Sequence, residues 1–217
     1  FNSGSLADLS GNGNTITFNN ATATTDRFGK ASNAFLFNGS SSYMRVPNST
    51  SLNPKYISIV AIVKPNGFYT GTCGANNILC KGSVSNTTGV YGLQIYNANG
   101  CNSSSDTTKE YFGGFIGDTS PGSAASAIAD ADFIRSGLWY NVVYTYDGIT
   151  SKLYINGVLE ASQIKTTVTS GNAQDIFIGK YDYPSYPYWF SGVIDEIRLY
   201  NRALIKEEVK ALNNLKE

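Results

Sequence analysis

Histidine is absent from the 217-residue sequence. Without an imidazole, the chain cannot carry Ser–His catalysis, a histidine metal site or a histidine pH switch. An excess of charge is absent too, because 16 Lys and Arg residues balance 16 Asp and Glu residues. We therefore predict no binding to nucleic acid and no attraction to an anionic membrane surface. No apolar run reaches the length of a membrane-spanning helix, so we also predict no membrane insertion by this segment.

Charged residues make up only 15% of the sequence, whereas glycine, serine, threonine, asparagine and tyrosine are abundant. This composition is typical of a turn-rich β protein on an outer surface. The chain opens at Phe1 without a signal peptide or an initiator methionine. We therefore expect a piece of a longer secreted protein, located outside the cell or on its surface. A length of 217 residues suits one large core, and we predict a single domain over residues 1–217.

Short apolar or alternating stretches recur along the chain, separated by turn residues. They predict strands at residues 15–18, 34–38, 43–46, 57–64, 78–81, 91–96, 111–116, 124–130, 140–146, 152–155, 176–180 and 193–200. The Asn156-Gly157 pair is the strongest hairpin signal, and residues 206–215 have the period of a short amphipathic helix. The pattern predicts an all-β fold, an antiparallel two-sheet jelly-roll sandwich with a short C-terminal helix.

The last predicted strand carries an unusual carboxylate. Alternation along residues 193–200 places Asp195 on the same face as the apolar Val193, Ile197 and Leu199. A carboxylate on a core-facing row is costly unless a cation meets it. We predict that Asp195 either caps a buried turn or holds a metal ion.

Oxygen-bearing side chains also occupy every second position near the N-terminus, with glycines among the residues between them. The set is Asp8, Ser10, Asn12 and Asn14. Such ligands suit a hard cation such as calcium, although no glutamate closes the loop as in an EF-hand. The alternative is an Asx-turn network without metal, in which Asp8 and Asn12 bond local amides.

Several pieces of the chain, in this order, resemble the laminin-G-like (pentraxin-like) jelly-roll domains of the concanavalin A-like lectin/glucanase superfamily. The pieces are Asp8–Asn14, Phe35–Gly39, Val63–Pro65, Ile78–Gly82, Trp139–Gly148, Leu153–Gly157 and Gly192–Leu204. The sequence departs from the pattern at Ile62, where the family commonly has tryptophan, and at Cys80. The resemblance implies that the first and last strands are neighbours. Asp195 would then join Asp8, Asn12 and Asn14 around a structural calcium ion.

Counting antiparallel strands back from the last one places several connections at one end of the predicted sandwich. These are the loops at residues 65–77, 97–109 and 181–188 and the Asn156-Gly157 turn. Three cysteines allow at most one internal disulfide. Because Cys73 and Cys101 fall in loops at the same end, we predict that they pair, and that Cys80 is a buried free thiol.

The same count gathers aromatic rings at one rim, together with polar side chains. The predicted ligand-binding residues are Tyr69, Asn99, Asn102, Tyr181, Asp182, Tyr183, Tyr186, Tyr188 and Trp189. Aromatic faces stack on the apolar faces of sugar rings, while Asp and Asn bond the hydroxyl groups. The alternative is that the tyrosines only stiffen and cover a long hairpin, with Trp189 packed inward.

An enzyme is not predicted. Glucanases of the superfamily place an acid and a nucleophile at alternate positions of one strand, but Asp195 and Glu196 are adjacent, and Asp130 and Asp132 lack a glutamate framework. We predict a non-catalytic extracellular recognition module whose partner is a glycan or glycoprotein. The alternative is a structural or adhesion head, or a spacer, of a cell-surface or filament-forming (pilin-like) protein, which acts through contacts with other domains or subunits.

Overall fold

A computed structural model describes residues 1, 3–71, 73–82, 89–97, 110–117, 124–129, 134–167, 169 and 171–215. The described residues form fourteen strands and one α-helix. They are β1 (Phe18–Asn19), β2 (Thr22–Thr24), β3 (Ala34–Asn38), β4 (Met44–Val46), β5 (Ile57–Gly67), β6 (Asn76–Lys81), β7 (Val90–Asn97), β8 (Glu110–Gly117), β9 (Ala125–Ile128), β10 (Tyr140–Tyr146), β11 (Thr150–Ile155), β12 (Val158–Ile164), β13 (Ile176–Ile178), β14 (Ser191–Tyr200) and α1 (Lys206–Asn213).

The strands form two antiparallel sheets that pack face to face. Sheet A has the order β1-β4-β13-β6-β7-β8-β9, and sheet B has the order β12-β11-β10-β5-β14-β3-β2. One large apolar cluster lies between them, to which both sheets contribute. The predicted all-β jelly-roll sandwich with a short C-terminal helix is confirmed.

Strand β5 forms the centre of sheet B, between β10 and β14. Its continuous apolar run is buried on both faces, as the sequence predicts for a central strand. On the inner face, Ile59 and Val63 join the main core. On the outer face, Val60 packs with Val209 of α1, and Leu212 lies beside them. The helix therefore covers the outer face of sheet B, with the two side chains inward that the sequence predicts.

A β-bulge interrupts β14 at Asp195. Ile194 pairs with Val63 of β5, whereas Glu196 pairs with the preceding residue, Ile62. Two residues of one strand therefore oppose one step of the other, and Asp195 is the extra residue. A bulge of this kind bends the strand and directs the extra side chain away from the regular rows.

The bulge corrects one prediction about the last strand. Ile194, Ile197 and Leu199 pack against the main core, and Val193 does not join that core cluster. The expected common face of Val193, Asp195, Ile197 and Leu199 is therefore wrong. The extra residue at position 195 reverses the alternation that an uninterrupted strand would have.

The described residues confirm that the loops at residues 65–77 and 181–188 and the Asn156-Gly157 turn lie at one end of the sandwich. Ser191 at the start of β14 pairs with Gly67 at the end of β5. In sheet B, Ile155 pairs with Val142 near the start of β10, so the Asn156-Gly157 turn lies at the same end. Residues 98–109 lie outside the described residues, and the position of that loop stays a prediction.

The N-terminal strands differ from the sequence prediction. The strand expected at residues 15–18 is reduced to β1, and β2 lies in a segment that the sequence indicates only as a polar connection. Its Thr-Ala-Thr sequence pairs with β3 at the edge of sheet B. Pairing with a distant strand creates β2, and local propensity does not reveal such pairing.

Candidate functional site

Residues 179–190, named here the tyrosine loop, form a hairpin held by its own backbone. The Tyr181 N–H donates to the Pro187 carbonyl at 2.7 Å, and the Tyr186 N–H donates to the Tyr183 carbonyl at 3.0 Å. Strand β6 anchors the loop, because the backbone and side-chain nitrogens of Asn77 donate to the carbonyls of Tyr188 and Lys180, both at 2.7 Å. These hydrogen bonds therefore fix the conformation of the loop and its position on sheet A.

Five predicted tyrosine rings meet in this loop and beside it. Tyr183 and Tyr186 have centroids 5.4 Å apart and planes 10° apart, and Tyr186 lies 6.2 Å from Tyr188 at 25°. Tyr188 in turn lies 5.5 Å from Tyr181 and 6.4 Å from Tyr69. These five residues are named the tyrosine cluster below.

The tyrosine cluster extends from the protein interior to its surface. Tyr181 is buried and packs with Cys80 and Phe177 of sheet A. Tyr188 is half-buried, and burial raises the pKa of its hydroxyl. Tyr186 is 36% exposed. The inner rings thus cover sheet A, as the packing alternative predicts, while the outer rings present aromatic surface to solvent.

Trp189 lies beside a ring outside the tyrosine cluster. Tyr188 has a left-handed backbone, with φ of 43°, which is uncommon for a residue with a side chain. The next ring, that of Trp189, lies 6.3 Å from Tyr43, which stacks on Phe18 at 4.5 Å. The sequence did not indicate Tyr43 and Phe18 as site residues, because their proximity depends on the pairing of β1 with β4.

A charged pair lies at the base of the loop. The Nζ of Lys180 is 3.5 Å from an Asp182 carboxylate oxygen. The same ammonium group lies 4.6 Å from the centroid of Tyr43 and 4.5 Å from that of Phe177. Asp182 is thus placed beside the rings, as the sequence predicts. The other predicted polar residues, Asn99 and Asn102, lie outside the described residues.

The buried Asp195 has a cationic partner. Its side-chain oxygen lies 2.5 Å from Nη1 of Arg27, and the residue is 5% exposed. Burial raises the pKa of the Asp195 carboxyl, while the Arg27 guanidinium acts to lower it. The Arg27 guanidinium is thus the cation that meets this buried carboxylate, where the sequence predicts either a metal ion or the cap of a buried turn.

The N-terminal loop forms hydrogen bonds within itself. The Asp8 carboxylate accepts the N–H groups of Ser10 at 2.9 Å and Asn14 at 2.8 Å, and also the Ser10 hydroxyl at 2.8 Å. Partial burial acts to raise the pKa of the Asp8 carboxyl, but the hydrogen bonds from the two backbone N–H groups and the Ser10 hydroxyl together lower it. The Asn14 side chain bonds the hydroxyls of Ser49 and Ser51. For Asp8 this is the Asx-turn network that the sequence leaves as the alternative to calcium, whereas the Asn12 side chain donates to the Ser10 hydroxyl instead of accepting a local amide.

The predicted calcium ion at Asp8, Asn12, Asn14 and Asp195 stays a prediction. The Asp195 carboxylate is engaged by Arg27, whereas the side-chain contacts of Asp8 stay within its own loop. Within the described ranges, no group of three or more Cys, Asp or Glu side chains is arranged to hold a metal ion.

A comparison with family models decides the classification. The model described as the concanavalin A-like lectin/glucanases superfamily matches residues 38–210, which is more than half of the chain. The chain belongs to this superfamily. The resemblance drawn from the ordered sequence pieces is thereby confirmed. No curated protein matches the sequence.

Solved structures of similar fold include two sugar-bound domains. Domain 4 of AbnA, an extracellular arabinanase from Geobacillus stearothermophilus in complex with arabinotriose, is 21% identical, with a TM-score of 0.61 over 97% of this chain and 93% of that one. The CBM40 of the Ruminococcus gnavus IT-sialidase, bound to α2,3 sialyllactose, is 18% identical, with a TM-score of 0.57 over 76% and 86%.

A heptameric SAP-like pentraxin from Limulus polyphemus is 15% identical, with a TM-score of 0.61 over 83% of this chain and 81% of that one. Five other similar structures are about twice as long, and this chain spans 45% to 50% of their length. At these identities the likeness concerns the fold, and ligands do not transfer with it.

Cys80 is a free, buried cysteine, as the sequence predicts. Burial raises the pKa of its thiol to about 12, so the thiol stays protonated and behaves as a small apolar group. Cys101 lies outside the described residues, and its disulfide with Cys73 stays a prediction.

A buried lysine, which the sequence does not single out, lies at the opposite end of β6. The Nζ of Lys81 donates to the Asn48 side-chain oxygen at 2.7 Å, to the Asn172 carbonyl at 3.2 Å and to the Gln174 carbonyl. Burial lowers the pKa of Lys81 to about 8, while Asp175 acts to raise it. Lys81 therefore ties two loops together at the end of the sandwich away from the tyrosine loop.

Proposed function

We propose that this domain is a non-catalytic recognition module that binds glycans through the tyrosine loop. The observation that carries the proposal is the pair of nearly parallel rings of Tyr183 and Tyr186 on a hairpin fixed by backbone hydrogen bonds. A pyranose ring is apolar on its faces, and flat aromatic rings bind such faces. A surface fixed before binding loses little conformational freedom when the sugar arrives.

Polar groups beside the rings support this proposal. The Asp182 side chain is 36% exposed, and a carboxylate has about four acceptor positions, of which the Lys180 contact uses one. The free positions can accept hydroxyl groups at the edge of a sugar. Apolar contact with a few fixed polar groups is the general composition of small-molecule sites.

The comparisons support a glycan over other small ligands. Two domains of the same fold hold arabinotriose and sialyllactose. The arabinanase that contains the first is described as extracellular, which supports an extracellular location for this domain. The described helix is too short to cross a membrane.

The carboxylates of β14 support a non-catalytic role. Asp195 is engaged by Arg27, and Glu196 accepts a hydrogen bond from Nε of Arg198 at 2.5 Å. Glycosidases of either stereochemical class need two carboxyl groups facing one bound sugar. In this domain, Asp195 and Glu196 instead form ion pairs with Arg27 and Arg198. Asp130 and Asp132 lie outside the described residues.

A pull-down with polysaccharides and a glycan array tests the proposal. We expect the intact domain to bind a defined set of glycans and the Tyr183→Ala/Tyr186→Ala variant to lose that binding. The control is Tyr56→Ala, which removes a ring of similar exposure, 38%, from another part of the surface. Equal binding by wild type and double variant, with all proteins folded, would contradict the proposal.

An adhesion or spacer role is the second candidate, because the edge of sheet B exposes apolar side chains. On β12, Val158 is 59% and Ile164 is 81% exposed. An exposed edge strand with apolar residues favours contacts with another protein. The absence of binding to any glycan, together with self-association that Ile164→Lys abolishes in gel filtration, would favour this role.

A structural calcium remains a proposal for the Asp8 loop alone. Three hydrogen bonds occupy the Asp8 carboxylate, which leaves about one acceptor position open. The Asn12 side chain lies in the same loop, where its amide nitrogen donates to the Ser10 hydroxyl at 2.9 Å, and its amide oxygen is the further ligand that we propose. One carboxylate with amide oxygens is a weak ligand set for calcium. Because Arg27 engages the Asp195 carboxylate, we propose the ion for the Asp8 loop without Asp195.

A further inference from the structure

We propose that the bound glycan is a neutral chain of several sugar units, which contacts both the tyrosine cluster and a second aromatic group formed by Phe18, Tyr43 and Trp189. The inference rests on the proposed glycan-binding function and specifies its ligand class. It follows from the position of the two aromatic groups and of the charged pair between them.

Three elements of the fold build the second aromatic group. Phe18 belongs to β1, Tyr43 precedes β4, and Trp189 lies near the end of the tyrosine loop. The rings of Phe18 and Tyr43 stack at 4.5 Å and 24°, and Trp189 lies 6.3 Å from Tyr43. Phe18 is 38% exposed, and the other two rings are half-buried. The group therefore offers fixed aromatic surface to solvent.

The two aromatic groups share one base. Three buried residues of sheet A and the loop form a small apolar cluster, and rings of both groups pack on it. The buried residues are Cys80, Phe177 and Tyr181, and the rings are those of Tyr43, Tyr183 and Tyr188. The second group is thus continuous with the tyrosine cluster on the outer face of sheet A.

One backbone feature directs consecutive rings to the two groups. Tyr188 adopts the left-handed conformation, which costs energy for a residue with a side chain and persists where the surrounding structure holds it. Tyr188 lies beside Tyr181 and Tyr186, whereas Trp189 lies beside Tyr43. A single segment therefore supplies an aromatic ring to each side.

The junction between the groups is polar and electrically balanced. Lys180 lies over the ring of Tyr43 and pairs with Asp182, which follows Tyr181 in the chain. The ammonium group donates hydrogen bonds and the carboxylate accepts them, so the junction matches the hydroxyl groups of a sugar chain. Because the two charges compensate each other, the junction favours a neutral chain over a polyanionic one.

Titration calorimetry with oligosaccharides of increasing length tests the inference. The probes are neutral arabino-, cello-, xylo- and manno-oligosaccharides of one to six units, with α2,3 sialyllactose as the charged arm. We expect the affinity of wild type to rise about tenfold or more from the shortest to the longest bound member of a series. Phe18→Ala should reduce the affinity for the long oligosaccharides about threefold to tenfold, as loss of one aromatic contact implies. The affinity for the shortest bound member should fall less than about twofold.

Two further variants distinguish the possible results. Tyr186→Ala should weaken binding at every length, because it alters the tyrosine cluster itself. Phe28→Ala is the matched control, since this phenylalanine is 45% exposed and lies over Arg27 in another part of the fold. Phe18→Leu, which keeps an apolar side chain, checks that the β1 edge remains folded while the aromatic face is lost.

Each outcome decides the inference. Unchanged affinity of Phe18→Ala for long oligosaccharides, with weaker binding by Tyr186→Ala, would overturn the second contact and leave the proposed function standing. Tighter binding of sialyllactose than of any neutral chain would overturn the neutral ligand class. The absence of binding to every probe would overturn both the inference and the proposed function.

Discussion

The guanidinium of Arg27 lies 2.5 Å from the carboxylate of Asp195, across 168 residues of sequence. A turn fixes the position of Arg27, because the Asp26 carboxylate accepts N–H groups from Phe28 and Lys30 at 2.8 and 2.9 Å. The contact joins the β2–β3 connection to the bulge of β14. It explains how a carboxylate is tolerated in the middle of the last strand.

Removal of the cation from this pair should destabilise the domain. Arg27→Met leaves the Asp195 carboxylate buried without its partner, and we expect a loss of about 3 kcal/mol in the free energy of unfolding. Replacing both residues, as Arg27→Met/Asp195→Leu, should restore most of it. Urea denaturation measures these differences.

The control for this prediction is Arg45→Met. Arg45 forms a longer and more exposed contact with Asp175, and we expect a loss of less than about 1 kcal/mol. Equal losses of unfolding free energy for Arg27→Met and Arg45→Met would show that the contact with Asp195 stabilises the domain no more than an exposed ion pair does.

Stability should fall as the pH decreases below about 4. Despite the opposing effect of partial burial, backbone N–H donors lower the pKa values of Asp8, Asp26 and Asp147. A hydrogen bond from Arg202 lowers the pKa of Glu208 to about 2. A carboxyl group with a lowered pKa in the folded state contributes stability above its unfolded pKa and loses it as the pH falls.

Urea midpoints between pH 7 and pH 2 check this prediction. The burial of Asp195 acts in the opposite direction, because its raised pKa favours protonation in the folded state. Four groups have lowered pKa values and one has a raised value, so we expect the midpoint to decrease towards acid. A midpoint that stays constant down to pH 2 would show that these hydrogen bonds do not hold the carboxylates ionised.

Lys81 should give the domain a distinct dependence on alkaline pH. Its pKa is lowered to about 8 in the folded state from 10.5, so the unfolded chain holds more protons between these values. By linkage, the contribution of Lys81 to stability rises as the pH increases from about 8 to 10.5. The melting temperature of wild type minus that of Lys81→Met should therefore increase as the pH rises across this range.

Comparison with Lys81→Met removes the effect of tyrosine ionisation, which both proteins share. Lys55→Met, at an exposed position, serves as the control with the same loss of charge. If the difference between wild type and Lys81→Met does not change with pH, Lys81 is ionised in the same way in both states.

Calcium should raise the melting temperature if the Asp8 loop binds the ion. The proposal predicts a rise in calcium over EDTA that Asp8→Asn removes and Asp195→Asn keeps, because Asp195 is engaged by Arg27. Equal melting temperatures in calcium and EDTA would instead leave the Asx-turn network as the full account of the loop.

The sequence predicts the fold well because its central strands are coded locally. The apolar run of β5 and the Asn156-Gly157 turn identify their own structure from composition. The bulge at Asp195 is not predictable in this way, since it exists only in the register between β14 and β5. Strict alternation therefore assigned Val193 to the wrong set of neighbours.

The residues of the candidate site differ in the same way: some are predictable from the local sequence, and others depend on strand pairing. The tyrosines of residues 181–188 are close in sequence, so a strand count sufficed to gather them. Tyr43 and Phe18 lie far away in sequence, and only the pairing of β1 with β4 brings them together. Lys180 is adjacent to the predicted loop, yet its contact with Tyr43 depends on the pairing of β13 with β4.

The affinity of Tyr186 variants for a glycan selected on the array tests the central claim most directly. Tyr186→Phe keeps the ring that stacks beside Tyr183, and Tyr186→Ala removes it. The account predicts a dissociation constant within about threefold of wild type for phenylalanine and an increase of about tenfold for alanine. Equal affinity of the alanine variant and wild type would contradict it.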